Sequence, residues 1–237
     1  MQISAPIYVL KRKAKLLARE TGLALHQALD TIATEEGFQS WSHLASSPAH
    51  ASPAERILRL LDAGDLVLIG ARPGHGKTLL GLELAAKASQ RHRMGYFFTL
   101  DYNARDIADR LSDMGVDPGA MDAGMVIDTS DEICADHMIR RLGHEEGPVL
   151  VVVDYLQLLD QKRTNPSLDQ QIKTLERYVV DTGAICVVIS QIDRSFELAG
   201  KPMPDISDVR LPNPLDLSRF RKHFFLQDGR IQFDQAA

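Results

Sequence analysis

Thirteen consecutive residues, Leu66-Val67-Leu68-Ile69-Gly70-Ala71-Arg72-Pro73-Gly74-His75-Gly76-Lys77-Thr78, restrict the fold of this chain more than any other stretch. An apolar run enters a glycine-rich turn, and Gly-Lys-Thr then opens an amphipathic helix. That order is the strand, phosphate loop and helix of a P-loop nucleotide site. Glycines let the backbone curl until successive N–H groups converge on one anion. The helix N-terminus adds unpaired donors and partial positive charge. In such a loop Arg72, Pro73, Gly74, His75, Gly76, Lys77, Thr78 and Leu79 surround the phosphates. Lys77 reaches the β- and γ-phosphates, and the Thr78 hydroxyl ligates Mg2+. The match is near rather than strict, because Ala71 stands where the motif has glycine. A glycine turn that merely joins a strand to a helix is the bland alternative, and the context on both sides speaks against it.

Beyond this loop, strand and helix patterns alternate. Leu66–Gly70 reads as a strand and Lys77–Arg91 as a helix. Gly95–Leu100 and Ala104–Met114 follow as strand and helix, then Met125–Asp128 and Asp131–Leu142. Val149–Val153 is wholly apolar, as in a sheet covered on both faces. Gln170–Val180 reads as a helix and Ala184–Ser190 as a second fully buried strand. His223–Leu226 and Arg230–Phe233, around Asp228-Gly229, read as a hairpin. The alternation predicts an α/β domain with a mostly parallel, doubly wound sheet. Ligands of such sheets lie at the carboxyl ends of the strands.

The strand ends carry the remaining chemistry. Val149-Leu150-Val151-Val152-Val153-Asp154 delivers an acid that would hold Mg2+ directly or through water. Gly95-Tyr96-Phe97-Phe98-Thr99-Leu100-Asp101 delivers another, suited to polarising an attacking water as general base. The strand Ala184–Ser190 ends in Gln191, whose carboxamide both donates and accepts and so can distinguish ATP from ADP. Each of the three has a bland alternative, a polar residue where a strand leaves the core.

Four segments in this order resemble the RecA-type ATPase domain of the DnaB replicative helicases: Ala71–Thr78, Thr99-Leu100-Asp101, Val153-Asp154-Tyr155-Leu156-Gln157-Leu158 and Ser190-Gln191-Ile192-Asp193-Arg194-Ser195. Ser207-Asp208-Val209-Arg210 is similar to a further segment of that family. The resemblance covers residues 55–228 or so. It implies a RecA-like P-loop NTPase fold, ATP and Mg2+ as cofactors, and single-stranded DNA as partner. It also implies a homo-oligomer, a hexameric ring in the family's usual form. Lys77 and Thr78 then bind phosphate and metal, Asp154 holds the metal, and Gln191 senses the γ-phosphate. The family usually has Glu where this chain has Asp101. A carboxylate one methylene further back implies slow hydrolysis, because catalysis is sensitive to displacements of that size. Relatives often carry Met at the position of His75. They also supply a Lys-x-Arg element to the neighbouring subunit's site; here no clear Lys-x-Arg follows the last strands, and Arg219, Arg221 and Lys222 are the nearby candidates. Two loops would face the centre of such a ring. One carries Lys162 and Arg163; the other carries Arg194, Lys201 and Arg210. Charge and reach suit both to a single-stranded backbone, although solvated surface loops would look the same. Phe196 is their one aromatic.

Residues 1–47 differ in character and do not resemble the family's helical primase-interacting domain. Leu10, Ala14 and Leu17, then Leu25, Leu29, Ile32 and Ala33, recur at helical spacing. Thr21-Gly22 separates two helices, and Phe38, Trp41 and Leu44 form a cap. The first helix bears Lys11, Arg12, Lys13, Lys15 and Arg19 against Glu20 alone. That face suits nucleic acid or an acidic partner, and equally a solvated surface. Residues 48–54 read as a linker, leaving 55–237 for the ATPase domain. The whole chain has a formal net charge of −5, which argues against attraction to nucleic acid over its entire surface but leaves local basic grooves open. Cys134 and Cys186 lie far apart without a CxxC, as expected in a reducing cytoplasm. No apolar run is long enough to span a bilayer. Two functions compete on these grounds. One is a DNA-coupled ATPase of the helicase type. The other is a nucleotide switch of weak turnover that binds a partner through residues 1–47. A small-molecule kinase lacks a lid segment and an acceptor motif.

Overall fold

The computed structural model describes residues 7–46, 52–113, 124–143, 145, 147–160, 162, 164–211, 213–228 and 230–235. The chain divides into two compact units, Met1–Ile57 and Leu58–Ala237.

In the first unit, α1 (Ile7–Thr21), α2 (Leu25–Glu35) and α3 (Trp41–Ser46) enclose Leu10, Ala14, Ala28, Ile32, Ala33, Phe38 and Leu44. Gly22 at φ 71° makes the turn between α1 and α2, a conformation that favours glycine. Asp30 accepts a hydrogen bond from the Trp41 backbone N–H at 2.8 Å and so fixes the start of α3. A further helix, α4 (Pro53–Leu60), takes up the end of the stretch expected to be linker. Its start was legible after all. Ser52 and Glu55 cap it reciprocally, with each side chain accepting from the other's backbone N–H, and Pro53 stands in the first turn, where a missing N–H costs nothing.

The second unit holds one seven-stranded sheet in the order β3-β2-β4-β5-β1-β6-β7. Its strands are β1 (Leu66–Ala71), β2 (Met94–Thr99), β3 (Met125–Asp128), β4 (Val149–Asp154), β5 (Ile185–Gln191), β6 (Lys222–Gln227) and β7 (Arg230–Gln235). Every pairing is parallel except β6 with β7. All residues of β1 and β4 are buried, as expected of strands covered on both faces. The hairpin at the end of the chain joins this same sheet through β6, which lies beside β1. Around the sheet run α5 (Lys77–Ala86), α6 (Ala104–Asp113), α7 (Ala135–Leu142), α8 (Leu168–Thr182) and the short α9 (Ser195–Ala199). Gly81 lets α5 lie close on the sheet: a Cβ there would sit 2.6 Å from Ile189 Cδ1 and 3.0 Å from Val152 Cγ1.

Three helix boundaries differ from the sequence expectation. The helix expected over Lys77–Arg91 ends at Ala86, and Ala88–Arg91 tightens into a 3-10 turn. The chain must reverse there, because Gly95 at the start of β2 packs so closely on Ala85 that a Cβ would lie 2.0 Å from its carbonyl oxygen. The helix expected from Asp131 begins only at Ala135. The Asp128 and Ser130 side chains accept from Ser130 and Glu132 backbone N–H groups, at 2.8 and 3.1 Å, and hold the intervening residues as a turn. The Ala135 N–H is then taken by Gln171 Oε1 at 3.1 Å, a cap supplied by a distant helix. By contrast α8 runs longer than expected, from the Ser167/Gln170 capping box to Gly183 at φ 70°. Met114, the last residue expected in the α6 segment, lies outside the described residues. No helix is long and apolar enough to cross a membrane, among the described residues.

Candidate nucleotide site at the carboxyl edge

Parallel register brings the ends of four strands to one edge. Ala71 lies opposite Gln191, Asp154 opposite both Ile189 and Thr99. The loop Arg72–Gly76 leaves β1 there, and α5 starts directly after it. Gly74 and Gly76 adopt φ of 85° and 81°, and nothing lies within 4 Å of where a Cβ would stand on either. The need for glycine at both positions is therefore conformational rather than steric. Ala71, where the strict motif has glycine, is fully buried as the last residue of β1. It does not have to turn, because the turn begins one residue later.

Asp154 is the most telling group of this edge. Its side chain is buried, and neither Oδ1 nor Oδ2 has a hydrogen-bond partner. Burial raises its pKa above the ordinary carboxylate value, opposed by the nearby Thr78 hydroxyl and the Lys77 ammonium, with Asp101 adding to the rise. Thr78 is buried at the first turn of α5. Buried carboxylate oxygens in native proteins are almost always paired, so two orphaned oxygens beside a buried hydroxyl are a donor set that fits a cation. Among the described residues no three acids, histidines or cysteines cluster as a protein-only cage. A metal here would share its shell with water and phosphate oxygens, as Mg2+ ordinarily does.

The other expected residues fall around this centre. Lys77 places Nζ 5.6 Å from the centre of the Tyr155 ring, and burial together with Asp101 and Asp154 raises the Tyr155 hydroxyl pKa. Asp101 is exposed, just past β2, with its N–H on Thr99 Oγ1 at 3.2 Å. Gln191 ends β5. Arg210 donates to its Oε1 at 3.4 Å and, through the backbone, to its carbonyl at 2.8 Å. Pro73 is exposed and Leu79 half-buried. Arg72 turns aside from the loop, with its guanidinium donating to Glu197 Oε1 at 2.7 and 2.9 Å and to the Ile192 carbonyl. His75 does more than fill space: Nδ1 accepts from the Asp228 N–H at 3.2 Å and ties the loop to the β6–β7 turn.

Gln157, in the turn after β4, has a part in this edge as well. Gln157 donates to Ser190 Oγ at 3.1 Å and to the Arg210 carbonyl at 2.6 Å. It joins β5 to the segment that presents Arg210. A carboxamide in the turn after β4 was the available signal, but its two partners lie 33 and 53 residues away.

The basic residues assigned to the two loops fare unequally. Lys162 and Arg194 are exposed, as is Arg210, and Arg163 lies outside the described residues. Lys201 is committed to Asp205 and Asp208 at 2.9 and 3.1 Å. Phe196 is buried in the main core and offers no surface for base stacking. Of the residues near the last strands, Arg219 is paired with Glu176 at 2.8 Å, and Lys222 is buried against Asp62 and Asp65. Arg221 is exposed.

Residues 54–136 and 118–213 match the family described as DnaB-like helicase C terminal domain. Similar proteins include the replicative DNA helicase DnaB of Leifsonia xyli, 24% identical over 69% of this chain and 42% of that one. A probable plasmid replicative DNA helicase of Chlamydia muridarum is 28% identical over 64% of this chain and 40% of its own length. The chain thus spans about two fifths of these curated relatives. Among solved structures, a DnaB-like replicative helicase studied with primase superposes at a TM-score of 0.60 with 17% identity, over 93% of this chain and 66% of that one. A KaiC-like protein of Pyrococcus horikoshii gives 0.56 with 16% identity, over 73% and 80%. At such identities these likenesses establish the RecA-like fold. The family match, which extends over well more than half of the sequence, establishes the rest: the chain belongs to the DnaB-like helicase C-terminal domain family.

Proposed function

We propose that this protein is an ATP-hydrolysing, helicase-type ATPase that acts on single-stranded DNA as a homo-oligomer, in the cytoplasm. The observation that carries the reading is Asp154, whose two buried oxygens lack partners beside Thr78 and Lys77. Thr78 and Asp154 would hold Mg2+, which when bound would supply positive charge to the phosphate oxygens and the developing charge of transfer. The loop around Gly74 and Gly76 presents backbone N–H groups to the β-phosphate, and Lys77 binds the terminal phosphates. Asp101 accepts the proton of the attacking water. Gln191, held from one side by Arg210, keeps its amide protons for the γ-phosphate. Lys162, Arg194 and Arg210 are the exposed cations suited to a DNA backbone, whereas Lys201 stabilises its own loop. Residues 58–235 form the ATPase domain in this reading.

The test is ATP turnover with and without single-stranded DNA, with Lys77→Ala as the blank. Turnover stimulated severalfold by DNA and absent from the variant is the expected result. Tight ATP binding with turnover indifferent to DNA, in a protein that stays monomeric, would replace this reading with that of a nucleotide switch.

A further inference from the structure

The cations of α1 are arranged more specifically than their number suggests. Leu10 and Ala14 are fully buried and Leu17 packs beside them, so this side of α1 faces its own unit's core. At 100° per residue, Arg12, Lys15 and Arg19 fall on the opposite side, in one row. All three are exposed, as is Lys13 on the flank, while Lys11 is half-buried. The row extends over about 10 Å at 1.5 Å per residue. Five bases against Glu20 give α1 a net charge of +4 within a chain of −5.

Two further observations bear on this face. Among the described residues none of these five cations makes an ion pair; Arg56, Arg59 and Arg140 on other helices share that property, but α1 gathers five such cations on one helix. Lys11 with Lys15, and Lys15 with Arg19, are also like charges one turn apart, which weaken a helix where nothing neutralises them. A linear polyanion is the chemistry that neutralises such a row. The apolar side of α1, Leu10, Ala14 and Leu17, is turned into its own unit's core, whereas a helix that enters a lipid surface needs a free apolar face.

We propose that the Arg12–Lys15–Arg19 face of α1 binds the phosphate backbone of a nucleic acid, a second contact that does not depend on the ATP site. The contact is to backbone charge, so it carries no sequence preference. The experiment is fluorescence anisotropy of the full-length protein with labelled single-stranded and duplex oligonucleotides, without nucleotide, across about 50–200 mM salt. The triple variant Arg12→Gln, Lys15→Gln, Arg19→Gln is compared with the wild type, and both are repeated with Lys77→Ala. The triple variant should bind about ten- to hundredfold more weakly. Its plot of log affinity against log salt should be flatter by about 2 to 3, from 0.7–0.9 per phosphate contact. ATP turnover without DNA should be unchanged. The same loss in the Lys77→Ala background would support the contact even where the ATPase reading fails. Affinity and salt slope equal to wild type would overturn it. So would a variant that loses binding to phosphatidylserine vesicles while its oligonucleotide binding is intact.

Discussion

The two edges of the sheet each bury a charged side chain, Lys222 at one and Asp154 at the other, and treat it in opposite ways. At the amino edge the buried lysine is saturated. Lys222, at the start of β6, donates to the Leu60 carbonyl, Asp62 and Asp65, each at 2.6 Å. Burial disfavours its charge, yet the two carboxylates outweigh this and raise its pKa. Arg93, just before β2, donates to the carbonyls of Val149 and Gly183 at 3.2 and 3.0 Å, next to β4 and β5. At the carboxyl edge Asp154 is equally buried and neither oxygen has a hydrogen-bond partner, with only the nearby Thr78 hydroxyl and Lys77 ammonium to favour its charge. A saturated buried charge holds elements together. An unsaturated one weakens the unliganded fold and becomes favourable when a cation arrives. The difference separates the groups that build this domain from those proposed to give it chemistry.

The sharpest way to break this comparison is to neutralise one group at each edge. Asp154→Asn should reduce ATP turnover by about a hundredfold or more, while stability in urea stays within about 1 kcal/mol of wild type or rises, since no partner is lost. Lys222→Met should do the reverse: a loss of about 3–5 kcal/mol, because buried Asp65 would lose its cation and keep only the Asp62 N–H as a partner. Equal destabilisation by the two would show that the edges do not differ in kind. Gly95→Ala probes the packing between them. Its Cβ meets backbone, at 2.0 Å from the Ala85 carbonyl oxygen, and should cost about 2–3 kcal/mol by the same melts.

Smaller effects sharpen the carboxyl edge further. Asp101→Glu restores the missing methylene and should raise turnover severalfold with little change in ATP affinity; slower turnover would mean that the shorter acid is already well placed. The loop after β5 offers a saturated but exposed cluster. Hydrogen bonds from Ser207 and Lys201 hold the Asp205 pKa down at about 2. A depressed carboxylate stabilises above its unfolded value near 4 and loses that contribution as pH falls toward 2. Melting curves of wild type and Lys201→Met should therefore differ slightly at pH 6 and converge at pH 2–3. The difference should be below about 1 kcal/mol, as for other exposed pairs.

Much of the site was legible because its parts are local. A phosphate loop needs consecutive residues, and an acid at the end of an apolar strand is read from one segment. Parallel pairing then carries Asp154, Gln191 and the loop to one edge without further information. What escaped the sequence depends on distant partners. Lys201 reads as a free cation in sequence, but Asp205 and Asp208 surround it in the fold. Phe196 looked like a loop aromatic, although the five-residue α9 turns it into the core. Arg72 stands in the loop by position, yet Glu197, 125 residues away, draws it aside.

The sequence alone thus determined the α/β alternation, the order of the phosphate loop and strand-end acids, and the two-part character of the chain, because each rests on spacing within a few turns or strand lengths. The tertiary structure decided which charges are engaged. Whether Lys222, Lys201 and Arg219 serve a ligand or the fold, and whether Asp154 has any protein partner, depends on which side chains lie within about 3 Å after folding. No local pattern encodes that distance.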